Sequence, residues 1–176
     1  MYLSMKTLLV LFTILTILLS GCSVLNLNDF VLPDDIDFIN TINELDTPKK
    51  ICSYMKDNFT YKTHLFYQPN PYDFWKLKKG DCTDFANFAS FVANYHGYET
   101  WQVHIYFNEP SFHIIAIYIE SIGYSFSSNQ FYYPKDDVYY NNFKECVDRD
   151  FLYRLPDWIS YEVYDYENNL IEKVQK

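Results

Sequence analysis

The sequence predicts an α+β fold in which N-terminal helices, with a central cysteine-bearing helix, pack on an antiparallel sheet. Two observations lead to this prediction. Apolar residues recur at helical spacing up to Gly97, and after it they alternate as they do in strands. Short turn signals, rather than long crossover segments, separate the predicted strands, which favours antiparallel pairing.

The composition limits the classes of protein to which the chain can belong. Its 176 residues fit one domain after a leader is set aside, and aromatic residues make up 20% of the chain, which favours a dense core over disorder. The formal net charge is -9 and no basic cluster is present, so we expect no nucleic-acid partner. We expect a monomer.

The first residues have the pattern of a secretory leader. Lys6 precedes an apolar run over 7–19 that is too short to span a bilayer comfortably. The run closes with Leu19-Ser20-Gly21-Cys22, which resembles the lipobox of bacterial lipoproteins. A cleaved secretory peptide with an unmodified cysteine is the alternative.

The lipobox resemblance implies an order of segments. A signal peptide would cover 1–21, Cys22 would carry the lipid, a tether would cover 22–35, and a single domain would cover 36–176. The domain would then be held by its lipid on the cell membrane or the outer membrane, outside the cytoplasm.

Helical spacing marks three segments before the strands begin. Apolar residues three apart predict a short helix over 36–45, and Thr47 followed by a proline predicts the start of a second helix over about 48–58. The central helix begins near Asp81 and ends at Gly97, a residue that suits a left-handed helix end. Its apolar residues lie on one side, so we expect its polar residues to lie on an opposite, unburied side.

Proline content and alternation predict the remaining elements. Two prolines over 68–73 indicate a loop ahead of the central helix. The first strand alternates apolar and polar residues and should be half-buried, whereas the second is apolar on both faces, as in a central strand. In order, these elements are strands over 101–107, 112–119 and 124–133, a short helix from about residue 143, and a strand over 158–164, with a polar end over 167–176.

Cys82 is the candidate nucleophile. Asp81 and Thr83 suit the opening turn of the central helix, so Cys82 should lie where unpaired N–H groups and the positive end of the helix dipole point. That environment predicts a depressed thiol pKa.

The other cysteines indicate no metal site. Cys52 and Cys146 either pair in an oxidising compartment or remain two buried free thiols, and the sequence leaves both possibilities open. Neither a Cys-x-x-Cys pair nor a His-x-x-x-His pair occurs, so we expect no zinc and no other cofactor.

A nucleophilic cysteine needs a base, and the chain offers four histidines. His64 lies in a loop, His96 closes the central helix far from Cys82, and His104 lies in the middle of a strand. His113 opens an apolar strand, where an imidazole has no packing role, although a lone strand histidine is more often structural.

The hairpin after His113 decides which polar residue faces its ring. A three-residue loop, Ser121-Ile122-Gly123, would place Asn129 on the same face as His113 and diagonal to it. A loop of two or four residues would bring Ser128 or Gln130 there instead.

These residues resemble the transglutaminase-like superfamily of papain-type cysteine enzymes. The resemblance covers about Thr47 to Tyr133 and depends on Gly80-Asp81-Cys82-Thr83-Asp84-Phe85-Ala86 at a helix start, with His113 opening a later strand. It implies Cys82 as nucleophile, His113 as base, and Asn129 where the family has aspartate. Peptide or protein substrates would then be hydrolysed or transferred to an amine.

Two other features remain open from the sequence. The Cys82 N–H is a natural oxyanion donor, and Gln68 and Trp75 are candidates for the second donor. A non-catalytic lipoprotein that binds through aromatic residues is the main alternative function. A cell-wall peptidase of the NlpC/P60 kind is a third, but the spacing from Cys82 to His113 is short for that group.

Overall fold

The structure is a computed structural model that describes residues 27, 30–64, 68–108, 111–136, 138–151 and 157–176. The predicted signal peptide and Cys22 lie outside the described residues, so lipid attachment stays a prediction. No helix in the described part of the chain is both long enough and apolar enough to cross a bilayer.

The architecture is α+β, as the sequence predicts. The helices of the described residues are α1 (Ile36–Glu44), α2 (Pro48–Asn58), α3 (Pro71–Leu77), α4 (Cys82–Tyr95) and α5 (Phe143–Phe151). The strands are β1 (Thr60–Tyr61), β2 (Lys79–Gly80), β3 (Thr100–Phe107), β4 (Phe112–Glu120), β5 (Gly123–Ser128), β6 (Phe131–Tyr133), β7 (Trp158–Asp165) and β8 (Leu170–Gln175).

One antiparallel sheet in the order β6-β5-β4-β3-β7-β8 divides the core into two layers. Helices α1 to α4 cover one face, where Ile114, Ala116 and Tyr118 of β4 pack with apolar residues of α4. Helix α5 covers the other face, where Ile115 and Ile117 pack with its apolar side chains. Neighbouring residues of β4 therefore face different helices.

Local signals explain the helix starts. Thr47 accepts a hydrogen bond from the Lys50 N–H, and Pro48 follows it at the first helical position, as predicted for α2. The same arrangement recurs at α3, where Asn70 caps the helix and Pro71 follows. The loop predicted over 68–73 is therefore wrong from residue 71, because that proline begins a helix.

The polar side of α4 is not exposed as predicted. Asp84, Asn87 and Ser90 are buried together with the apolar residues. The Asn87 Oδ1 accepts a hydrogen bond from the Gln102 Nε2 at 2.9 Å, which compensates for its burial against the sheet. The helix that carries Cys82 is thus enclosed along most of its length.

The sheet extends further than the sequence indicates. Strand β3 was expected to be half-buried, but β4 and β7 flank it and both of its faces are covered from Thr100 to Ile105. The segment 170–175, within the end for which no element was predicted, pairs with β7 as β8. The predicted third strand is two strands, β5 and β6.

The hairpin between β4 and β5 has a two-residue loop. Glu120 pairs with Gly123 and Ile115 pairs with Ser128, so the three-residue loop predicted from Ser121-Ile122-Gly123 is wrong. Asn129 follows the end of β5 and has a positive φ of 51°, in the turn that leads to β6.

The described cysteines are unpaired thiols. Cys52 packs in the layer of α1 to α4, whereas Cys146 packs in the layer of α5. The sheet lies between them, so the disulfide that the sequence left open does not form.

Two residues of the predicted tether pack against the helical layer. Leu27 is buried in the helical layer, and the Phe30 ring packs on the Phe91 ring with centroids 4.9 Å apart. The boundary between tether and domain at residue 36 stays a prediction, although these two residues of the predicted tether already contact the core.

Candidate functional site

Cys82 is the first residue of α4, where the sequence places it. The Asp81 side chain accepts a hydrogen bond from the Thr83 N–H at 3.0 Å, and the Asp84 side chain accepts one from the Asp81 N–H at 2.8 Å. This capping box does not use the Cys82 N–H. Cys82 is 7% exposed, and its thiol lies close enough to the backbone of Ile114 in β4 for that group to lower its pKa.

The predicted depression of the Cys82 pKa is wrong. Burial raises the pKa of this thiol, and the negative charge of Asp81 raises it further. The hydrogen bonds from Ile114 and Thr83 lower it, but they do not offset the desolvation. Cys82 therefore rests as a neutral thiol at neutral pH, and a base has to remove its proton for attack.

His113 is buried, with 4% of its surface exposed, and polar groups of Ser128 and Asp150 lie near its ring. Its Nε2 lies 3.0 Å from the Ser128 Oγ and 3.8 Å from the Asp150 Oδ2. The Ser128 hydroxyl is within hydrogen-bond distance of Nε2, whereas the Asp150 carboxylate is near enough for an electrostatic interaction only.

The structure brings Ser128, not Asn129, to His113. Because the hairpin loop has two residues, Ser128 pairs with Ile115 and is the diagonal neighbour of His113. Asn129 lies in the next turn, and its buried Oδ1 has no hydrogen-bond partner among the described residues. Ser128 therefore replaces Asn129 as the polar neighbour of His113, because the prediction of Asn129 assumed a three-residue loop.

Asp150 is the residue that sequence reasoning missed. It lies near the end of α5, is 3% exposed, and reaches His113 from the opposite side of the sheet to α4. A signal was present, because Phe143, Val147 and Asp150 are four and three residues apart and so share one face of a helix. An aspartate on an apolar helical face indicates a buried partner.

The Cys82 thiol and the His113 side chain lie on different faces of the sheet. The thiol lies at the Ile114 backbone, while alternation directs the His113 side chain toward the layer of α5. The backbone pairing of β4 with β5 ends at Ile115, although the His113 ring still contacts Ser128 of β5.

A cleft of about 230 Å³ lies on the α4 side of the sheet, beyond the start of that helix. Thr83, the residue after Cys82, belongs to its wall, as does Ile114, which the thiol contacts. The complete lining is Gln68, Thr83, His104, Tyr106, Phe112, Ile114 and Tyr164. A substrate in this cleft would contact Thr83, the residue that follows Cys82, and Ile114, the residue that follows His113.

His104 is the histidine of this cleft. It pairs with Ile114 across the β3–β4 ladder, so their side chains share a face. Its ring is 7% exposed and lies 4.7 Å from the Tyr164 ring, centroid to centroid. Its Nε2 is buried without a hydrogen-bond partner among the described residues, and burial lowers its pKa to about 4.

The remaining two histidines fix structure around α4. The Nε2 of His64 lies 2.5 Å from the Asp84 Oδ2 and 3.7 Å from the Asp81 Oδ2, which ties the loop after β1 to the helix start. The ligand atoms of this trio lie within 4.8 Å of one another, so the three groups could hold a metal ion. His96 ends α4, and its Nε2 lies 2.8 Å from the Ile42 carbonyl oxygen.

The two candidates for the second oxyanion donor differ in position. Trp75 donates its Nε1–H to the Tyr54 hydroxyl at 2.8 Å, so this donor serves the helical layer. Gln68 lines the cleft beside Thr83. Of the two, Gln68 is the one that shares the cleft with the start of α4.

The chain is similar to a protein family and to solved structures. The profile of the transglutaminase-like superfamily matches residues 38–142. The chain is also similar to a solved structure described as "a Putative Cysteine Protease from Cytophaga hutchinsonii", with 15% identity and a TM-score of 0.42 over 64% of this chain. That match covers 47% of the solved chain, so this protein spans about half of its length. No curated protein matches.

The profile match extends from α1 to the segment before α5 and includes both the helix start at Cys82 and strand β4, which contains His113. The chain belongs to the transglutaminase-like superfamily, and its fold is of the cysteine-enzyme type.

Proposed function

We propose that the protein is a cysteine hydrolase or acyltransferase that acts on amide bonds of peptides or proteins, with Cys82 as nucleophile and His113 as base. The observation that supports this proposal is that Cys82 at a helix start and His113 in β4 both lie in the part of the chain that matches the transglutaminase-like superfamily. The thiol lies near the backbone of Ile114, the residue next to His113, and the His113 Nε2 lies 3.0 Å from the Ser128 Oγ and 3.8 Å from the Asp150 Oδ2.

The polar partners of His113 support a particular tautomer. Ser128 and the Asp150 carboxylate both lie at Nε2, and a carboxylate favours a proton on the nitrogen it faces. The Nδ1 atom is then left as the base. Asp150 supplies negative charge in a site where the third family residue is Ser128 rather than aspartate.

The reaction begins when His113 takes the thiol proton and the Cys82 sulfur attacks the carbonyl carbon. The carbon–sulfur bond forms, the carbon–nitrogen bond breaks, and the imidazolium returns the proton to the leaving amine. The N–H groups of Cys82 and Gln68 would donate to the oxyanion, and each such donor contributes roughly 2.7–4 kcal/mol.

The second half of the reaction releases the acyl group. His113 removes a proton from water or from an acceptor amine, the oxygen or nitrogen attacks the thioester, and the Cys82 thiol is regenerated. Water yields a carboxylic acid and an amine yields a new amide. We further propose that a lipid on Cys22 holds this domain on the outer side of a bacterial membrane.

Acyl transfer from p-nitrophenyl acetate tests this proposal on the full-length chain in detergent. We expect release of p-nitrophenol, an acetyl group on the tryptic peptide that contains Cys82, and a rate that falls about 10²–10⁴-fold in His113→Ala. An added amine such as ethanolamine then shows whether transfer competes with hydrolysis. His96→Ala is the matched control, because His96 contacts a backbone carbonyl far from the thiol.

Two results would contradict the proposal. One is acetylation of Cys82 no faster than in the denatured chain, and the other is a rate unaffected by His113→Ala. Either result favours a non-catalytic binding module, the second candidate function. The raised pKa of Cys82 and the serine at the third position are the observations that favour that candidate.

A further inference from the structure

The cleft near the start of α4 is lined in part by Tyr106 and Tyr164, whose hydroxyl groups bind Glu162. The hydroxyl groups of Tyr106 and Tyr164 donate to the Glu162 Oε2 at 2.9 and 2.8 Å, and Lys173 donates to the Oε1 at 2.6 Å. Both tyrosine hydroxyls and the Glu162 charge are thereby occupied. What these tyrosines contribute to the cleft lining is ring surface.

Phe112 and Ile114 add apolar surface to the lining, while Gln68, Thr83 and His104 add polar groups. Phe112 is 47% exposed, whereas Ile114 is buried. A cleft of about 230 Å³ is smaller than the roughly 300–1,000 Å³ that holds a drug-sized ligand, so it fits one side chain rather than a long segment. Its shape and surface favour a planar, apolar group.

His104 adds one polar atom to these walls. Its ring is more than nine-tenths buried, and Nε2 has no hydrogen-bond partner among the described residues. A buried polar atom of this kind is costly unless something binds to it. Because burial lowers the pKa of His104 to about 4, the ring is neutral at physiological pH and suits an uncharged partner.

We propose that this cleft binds an uncharged aromatic side chain of the substrate, with a polar group hydrogen-bonded to Nε2 of His104. A tyrosine-like side chain fits these requirements, whereas a carboxylate does not. The inference rests on the proposed function, because it assigns a substrate class to the same site.

Alkylation of Cys82 tests the cleft without a known substrate. N-(p-hydroxybenzyl)iodoacetamide, iodoacetamide and iodoacetate would be compared on the full-length chain in detergent at about pH 8, near the pKa of an ordinary thiol. The labelled peptide containing Cys82 is quantified by mass spectrometry, and each rate is divided by that of the denatured chain. We expect the aryl reagent to react about tenfold faster than iodoacetamide, and iodoacetate to be the slowest.

Two substitutions test whether the preference for the aryl reagent arises in the cleft. His104→Gln and Phe112→Ala should each lower the aryl preference several-fold, since one removes the imidazole and the other a wall of the cleft. His96→Gln is the control outside the cleft. Thermal unfolding by circular dichroism shows which variants are folded, and Phe112→Ala, at an exposed position, provides a second route if His104→Gln does not fold.

The outcomes separate this inference from the proposed function. An aryl preference of one, or a preference retained in both variants, overturns the inference and leaves acetylation by p-nitrophenyl acetate as it was. A shift in the pH midpoint of iodoacetamide labelling in His104→Gln also overturns the inference. It would identify His104 as the base of Cys82 rather than as a binding residue of the cleft. Loss of Cys82 acetylation in wild type overturns the proposed function, even where aryl binding persists.

Discussion

The Asp150 Oδ2 lies 3.8 Å from the His113 Nε2, and both side chains are almost completely buried. The two residues come from α5 and β4, which the chain separates by two strands. Asp150 of helix α5 thus lies near His113, the candidate base. The hairpin of β4 and β5 contributes Ser128 to the same ring. This relationship leads to the first prediction.

Asp150→Asn should lower the rate of Cys82 acetylation roughly tenfold, because the amide removes the negative charge that keeps the proton on the His113 Nε2. Ser128→Ala should cost less, since a hydroxyl carries no charge. Ser128→Asp in the Asp150→Asn background should restore part of the rate. Acetylation over a range of pH measures all three, and the absence of rescue by Ser128→Asp would show that Asp150 has only a structural role.

Acid should destabilise the protein through His104. Its pKa is about 4 in the folded state and near 6.5 when unfolded, so the unfolded chain binds the extra proton between these values. The free energy of unfolding therefore has its full value above about pH 6.5. It falls by up to about 3 kcal/mol as the pH decreases toward 4. Urea unfolding, followed by tryptophan fluorescence, should show a smaller acid loss in His104→Gln. Parallel pH profiles for the two proteins would contradict this prediction.

The contact between His64 and Asp84 should weaken as the pH rises. Burial lowers the pKa of His64, but the hydrogen bond and charge of Asp84 outweigh it, so the net shift is upward. The stabilisation from this contact is therefore lost as the pH rises through the raised pKa of His64, and it is also lost at low pH, where Asp84, whose pKa is raised by burial, takes up a proton. His64→Gln should cost about 1–2 kcal/mol at mildly acidic pH and less at alkaline pH. The cost in unfolding free energy should vary in this direction, and a cost independent of pH would refute the proposed ion pair.

Gly80→Ala should disturb the start of α4. A Cβ at residue 80 would lie 2.8 Å from the Asp84 Cβ and closer still to its carboxylate, which is fixed by the Asp81 N–H and by His64. Overpacking of this kind costs about 1–3 kcal/mol, and we expect Cys82 acetylation to fall with it.

The control for Gly80→Ala is Gly97→Asn. Gly97 has a φ of +83° and nothing within 4 Å of an added Cβ, and asparagine tolerates that conformation. Its unfolding free energy should change by less than about 1 kcal/mol. Equal losses in the two variants would show that residue 80 is not specially crowded.

Local patterns in the sequence predict much of the fold. Thr47 with Pro48 and Asp81 with Gly97 mark the ends of helices through hydrogen bonds and φ preferences within a few residues. The same kind of signal was misread at Pro71, where two prolines indicated a loop although Asn70 caps a helix. Strand β8 lacked a signal because its apolar and polar residues do not alternate strictly, and it is stabilised by pairing with β7.

By itself, the sequence determined the α+β order of elements and the position of Cys82, because capping and periodicity are local properties. Only the tertiary structure decided the partners of His113, since a loop shorter by one residue exchanges Asn129 for Ser128 and since Asp150 arrives from a distant helix. The tertiary structure also decided the pKa of Cys82. A helix start favours the thiolate, but enclosure by β4 removes water from the sulfur, and desolvation outweighs the local effect.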